Sequence, residues 1–216
     1  MPEKFDKEIH YLHKDIKKMG DLSMKMLMEG VESLRKRDKE LAQSVLDMKD
    51  ELYDLDDHIE EHSIKVLTLH QPVAKDMREL ACILKIITYL KRIGRYGYDI
   101  AKVALEIGDQ PHVKKLIDIP NMARIAVSMV EDVLEAYFNE DMDLLKDLEE
   151  RDDILDEERY SIFRECLTYM MEDPKTITRC THYVMVARYL ERCGDHACNI
   201  AEKVYFRTTG KRREFS

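Results

Sequence analysis

Apolar residues recur near the start of the chain at Phe5, Ile9, Leu12, Ile16, Met19, Met26 and Leu34, spacings that lay one stripe along a helix. Asp38 reads as an N-cap. A second helix is expected to run from there to the "LHQP" at residues 69 to 72, where Pro72 suits the first turn of a third helix ending near Gly108. After a linker around Pro111 the pattern restarts. Met26, Asp38 and Leu41 recur as Met129, Asp141 and Leu144, each displaced by 103 positions, whereas Tyr89 recurs as Tyr189, displaced by 100. A constant offset that changes only at a turn is what a duplicated three-helix unit leaves behind. In the second copy that turn is "MEDP", with Asp173 as the expected cap before Pro174. The predicted fold is all-α, with six long helices forming two pseudo-symmetric repeats, residues 1–108 and 109–216.

Composition agrees: only seven Gly and five Pro interrupt 216 residues that are 37% charged and 44% hydrophobic. A net charge of −9 argues against nucleic-acid binding, which needs a basic face, and the "GKRREF" near the end is too short to supply one. No run approaches the ~18 apolar residues of a membrane span, and "MPEKFDKEIHYLHKDIKK" lacks the apolar core of a secretory signal, so a soluble cytoplasmic protein is expected. Cys82, Cys166, Cys180, Cys193 and Cys198 form no C-x-x-C pair and are expected to be reduced, mostly buried thiols.

Candidate chemistry lies in the second copy. Asp152 and Asp156 share one face of the fifth helix, and Glu191 and Asp195 share one face of the sixth. At ~1.5 Å per residue, Asp156 and Glu191 lie ~25 and ~26 Å from the intervening turn, and Asp152 and Asp195 ~30 and ~32 Å. If the two helices are antiparallel neighbours with these faces opposed, four carboxylates meet at one level. Their mutual repulsion would be offset by a cation, and an oxygen set suits iron, manganese, magnesium or calcium, with zinc as a further candidate. Asn199, one turn beyond Asp195, offers a carbonyl oxygen or is simply a polar surface residue. The alternative is a solvated acidic stripe on a metal-free structural bundle.

The first copy has Lys49, Tyr53, Lys91 and Arg95 at the matching positions. Losing all four acids together suggests that this half has given up its cation. The basic replacements either bind an anion or pair with neighbouring acids such as Asp50, Asp54 and Asp99, and local pairing is the favoured reading.

Two enzymatic readings compete. "HIEEH", His58 to His62, fits the H-x-x-E-H pattern of zinc peptidases, but the sequence identifies no third ligand and no cleft. A ferritin-like carboxylate-bridged di-metal enzyme would need Glu-x-x-His, and no Glu precedes any of the eight histidines by three positions; His196 points about 100° away from Asp195.

From "QPVAKDMR" (71 to 78), "LTYMMEDP" (167 to 174), "ARYLERCGDHACNIAE" (187 to 202) and the two-fold repeat, the whole chain resembles the PhoU family of phosphate-uptake regulators. The resemblance implies a non-enzymatic cytoplasmic adaptor, often dimeric, whose E(D)xxxD pairs bind a multinuclear metal cluster. Asp152, Asp156, Glu191 and Asp195 match those pairs; the first repeat departs from them, so no cluster is expected there. Iron or zinc is the implied metal, with manganese and magnesium as alternatives. The implied partners are the ATPase subunit of the phosphate ABC transporter, a phosphate-sensing histidine kinase where one exists, and a second copy of the chain, with the membrane approached only through partners.

Overall fold

Asp38 and Asp173, the two caps read from the sequence, both bond backbone N–H groups that a helix leaves without partners: Asp38 Oδ1 accepts from Leu41 N at 2.9 Å and Asp173 Oδ1 from Lys175 N at 3.0 Å. The computed structural model describes residues 2–70 and 72–215. It contains α1 (Pro2–Lys36), α2 (Lys39–Asp47), α3 (Lys49–His70), α4 (Ala74–Ile107), α5 (Asp118–Asn139), α6 (Leu148–Glu172) and α7 (Ile177–Thr209), with no strand among the described residues. Single 3-10 segments at Met142–Leu145 and Pro174–Thr176 precede α6 and α7. Gly108 ends α4 at φ +57°, where glycine carries no steric penalty.

The six-helix plan holds, with two corrections. The expected second helix is broken at Met48, whose N–H turns back to Val45 O at 3.3 Å, so α2 stops and α3 begins. No proline or glycine marks this break. In the other repeat, the counterpart of α2 is the 3-10 segment at Met142–Leu145, capped by Asp141. Pro72 also lies outside the first turn of α4, which starts at Ala74 behind an extended Val73 (φ −102°, ψ 166°).

Helices α1, α4, α5 and α7 pack together in the middle, α3 lies against α1 and α4, and α6 lies against α5 and α7. Leu12, Ile16, Met19, Met26 and Leu34 of the predicted α1 stripe are fully buried, with Phe5 and Ile9 at its edge. All five cysteines are free and buried.

One buried polar network ties the repeats together. Glu79 of α4 pairs with Arg207 of α7 and accepts from Tyr137 Oη of α5 at 2.6 Å, while His13 Nε2 of α1 lies 3.0 Å from Glu79 Oε1. Arg207 also donates to the Tyr137 carbonyl at 3.2 Å. Burial by itself would raise the Glu79 pKa, but hydrogen bonds from His13 and Tyr137 and the Arg207 guanidinium outweigh it and hold the carboxyl at about 2. Removing one partner strands the other charge. Glu79→Gln is expected to cost about 3–5 kcal/mol at pH 7, measured by urea unfolding. Because the folded pKa lies below the ordinary value of 4.5, the Glu79 contribution is complete above that value and disappears as pH falls towards 2. The stability gap between the native chain and the variant should therefore narrow over that range.

Candidate metal centre

The same packing contact is made once in each repeat. A Cβ on Gly94 would stand 2.6 Å from Leu52 Cδ2 and 3.4 Å from Met26 Sδ; one on Gly194 would stand 2.6 Å from Leu155 Cδ1 and 3.8 Å from Met129 Cε. Only a bare backbone on the last helix of each unit admits the leucine of the second so closely. Asp152 and Asp156 flank Leu155 on α6, and Glu191 and Asp195 flank Gly194 on α7. The contact therefore sets the four acids at one level.

Asp152 sits deepest in this arrangement. A Cβ on Gly194 would lie 2.7 Å from Asp152 Oδ1, so the carboxylate rests on the side-chain-free backbone of α7 at that glycine. That oxygen is buried and has no hydrogen-bond partner among the described residues. Burial first, then the charges of Asp195, Asp156 and Glu191, push the Asp152 pKa up to about 7. Glu191 is raised by burial and by Asp195; Asp195 is raised by burial against the opposing charge of Arg192, with Asp156 adding to the rise.

Sequence reasoning missed Arg159. Its Nε lies 3.5 Å from Glu191 Oε1 and 3.8 Å from Asp156 Oδ1, within ion-pair range. Its counterpart in the first repeat is Asp56, which pairs with Lys91, the counterpart of Glu191, at 2.5 Å. The ion pair is thus made twice with its charges exchanged. The repeat offset carried this signal, because it places Asp56 opposite Arg159 just as it places Lys91 opposite Glu191.

The remaining basic positions of the first repeat find local partners. Arg95 Nε lies 3.3 Å from Asp99 Oδ2, as expected, and the cations cover aromatic rings: Lys91 Nζ is 4.3 Å and Lys49 Nζ 5.5 Å from the Tyr53 centroid. Lys91 takes Asp56 in place of Asp50 or Asp54.

Asn199 is engaged elsewhere, donating to the Asp195 carbonyl at 2.7 Å while its Oδ1 faces Tyr89 Oη at 3.4 Å. His196 points away from the acids, as its position predicts, and lies against the rings of Tyr89 and Tyr96. The four carboxylates share a groove but are not drawn into one coordination sphere. Among the described residues, only Asp15, His58 and His62 hold three ligand atoms within 4.8 Å of one another. This group belongs to the first repeat but is separate from the basic positions.

Comparison with known proteins follows the repeat. The PhoU domain model matches residues 16–104 and 119–204. The chain belongs to the PhoU family. It is 37% identical over 207 residues to the phosphate-specific transport system accessory protein PhoU homolog of Rhizobium meliloti, covering 95% of this chain and 87% of that relative. A homolog of the same description from Clostridium acetobutylicum is 32% identical, with 96% and 95% covered. The crystal structure of PhoU from Pseudomonas aeruginosa superposes with a TM-score of 0.91 at 31% identity, covering 96% of this chain and all of that one. The phosphate transport system regulatory protein PhoU from Streptococcus pneumoniae, at 24% identity and a TM-score of 0.88, shares the fold. The family is one of accessory and regulatory proteins, not enzymes.

The crowding of acids has a consequence for stability without metal. Asp152 has a folded pKa raised from 3.8 to about 7, so its contribution is present below the ordinary value and lost as pH rises through 7. Asp152→Asn is expected to raise the unfolding free energy in chelator at pH 8 by up to about 1 kcal/mol, because partial exposure screens the repulsion. At pH 5 the gain should be smaller. Equal gains at both values would show that the crowding is not electrostatic.

Proposed function

We propose that the chain is a cytoplasmic regulator of phosphate uptake and phosphate signalling, a helical adaptor that carries a transition-metal cluster between α6 and α7. In this reading it restrains the phosphate ABC transporter through the ATPase subunit, holds down a phosphate-sensing histidine kinase where one exists, and acts as a homodimer. Family membership supports the phosphate-transport role, since curated relatives carry the name of transport accessory proteins. No helix among the described residues is long and apolar enough to cross a membrane, so contact with the transporter would come through protein docking. Tyr160, Phe163, Leu167 and Met171 stay exposed along α6 at helical spacing and offer an apolar face for such contact.

The observation that carries the metal assignment is the buried, unpartnered Oδ1 of Asp152 among three further carboxylates. A cation would satisfy that oxygen and remove the repulsion. Asp152, Asp156, Glu191 and Asp195 would hold it, and Asn199 would join only by releasing Tyr89. Several bridging carboxylates suit iron or zinc, with manganese or magnesium as alternatives. The metal-free reading draws its support from Arg159, which already gives Glu191 and Asp156 a positive neighbour.

Plasma mass spectrometry on tag-free protein separates the two. The expected outcome is stoichiometric iron, zinc or manganese whose content per chain falls in an Asp152→Ala/Glu191→Ala variant. Equal metal in both proteins, or none in either, would leave the adaptor without its cluster.

A further inference from the structure

The "HIEEH" segment acquires from the fold the partner that its sequence lacks. His58 and His62, one turn apart on α3, face α1, where Glu8 and Asp15 lie two turns apart on one side of the helix. His58 Nε2 stands 3.5 Å from Asp15 Oδ2, and His62 Nε2 stands 2.7 Å from Glu8 Oε2. One ligand atom each from Asp15, His58 and His62 falls within a common 4.8 Å. The group opens into a surface cleft of about 510 Å³, lined also by Tyr11, Glu61 and Lys65.

We infer that Asp15, His58 and His62 form a zinc-binding site that joins α1 to α3 in the first repeat. Two imidazole nitrogens and one carboxylate are a donor set for a borderline cation, since magnesium and calcium prefer oxygen alone. Three protein ligands leave the fourth position of a tetrahedral ion to water. Glu8 Oε2 lies on His62 Nε2, which leaves Nδ1 as the nitrogen that His62 offers zinc and lets the Glu8 carboxylate anchor the ring from outside the coordination sphere. The cleft gives water and metal access, and His58, the most exposed of the three, is the side chain with most room to adjust. The role is structural: a zinc ion bound to both helices pins α3 against α1 and stabilises the folded chain by mass action. This site shares no residue with the carboxylate groove between α6 and α7, so either can fail without the other.

The test uses the full native chain and reads the two histidines directly. Zinc is titrated while the imidazole resonances of His58 and His62 are followed by NMR, alongside thermal unfolding with and without zinc. Saturable shifts of both rings, reversed by chelator and not produced by magnesium, are expected together with a zinc-dependent rise in unfolding temperature. His58→Ala should weaken the His62 response at least about tenfold, as should Asp15→Asn, which preserves shape while removing the charge. Zinc bound only at the carboxylate groove would leave both rings unmoved. That result, or an unchanged His62 response in both variants, would overturn the assignment.

Discussion

A leucine of the second helix resting on a glycine of the third fixes the register of each repeat. Leu52 on Gly94 and Leu155 on Gly194 are fully buried leucine contacts against bare backbone, each closed on its far side by a methionine of the first helix. Close-packed interiors transmit such a constraint, since sliding either helix would open a void or force a clash. The residues three before and one after each contact partner are thereby held at one level, whatever their charge. Chemistry can change at those positions without disturbing the bundle.

The two repeats use this freedom in opposite ways. In the first, Lys91 meets Asp56 and Lys49, Tyr53 and Arg95 form a basic, aromatic surface whose charges are locally satisfied. In the second, the matching ion pair is reversed as Glu191 and Arg159, while Asp152, Asp156 and Asp195 add negative charge that Arg159 and Arg192 do not fully offset, since Asp152, Glu191 and Asp195 all stay raised. The cost is concentrated on Asp152, whose buried oxygen has no partner among the described residues. A duplicated scaffold thus holds one half whose Lys91 and Arg95 have acidic partners and one half with an excess of acids. The asymmetry extends to the centre, where Glu79 of the first repeat and Arg207 of the second make a pair that neither repeat could make alone.

Much of this architecture was legible in the sequence because it is written in local signals. Asp38, Asp173 and Gly108 cap helices through their own side chain or backbone freedom, and the α1 stripe follows from period alone. The break at Met48 was not legible: no residue there disfavours a helix, and the turn is set by packing. Pro72 was misplaced because a proline suits an extended approach to a helix as well as its first turn, and Val73 adopts the former. The height of the four acids followed from helix rise, but the burial of Asp152 did not, since it depends on Gly194 admitting its carboxylate. Asp15 gave no sequence signal as a partner of His58, because helix packing alone brings α1 to α3. Arg159 was readable in principle from the same offset that exposed the exchanged acids.

The acidic groove of the second repeat is expected to hold metal and its basic counterpart none. Anomalous diffraction from crystals of the native protein, recorded at the iron, zinc and manganese edges, tests it most directly. Strong peaks are expected between α6 and α7 in contact with Asp152, Asp156, Glu191 and Asp195, and none between α3 and α4 beside Lys49, Lys91 and Arg95. An empty acidic groove in crystals grown with these metals, with Asp152 still unpartnered, would contradict it.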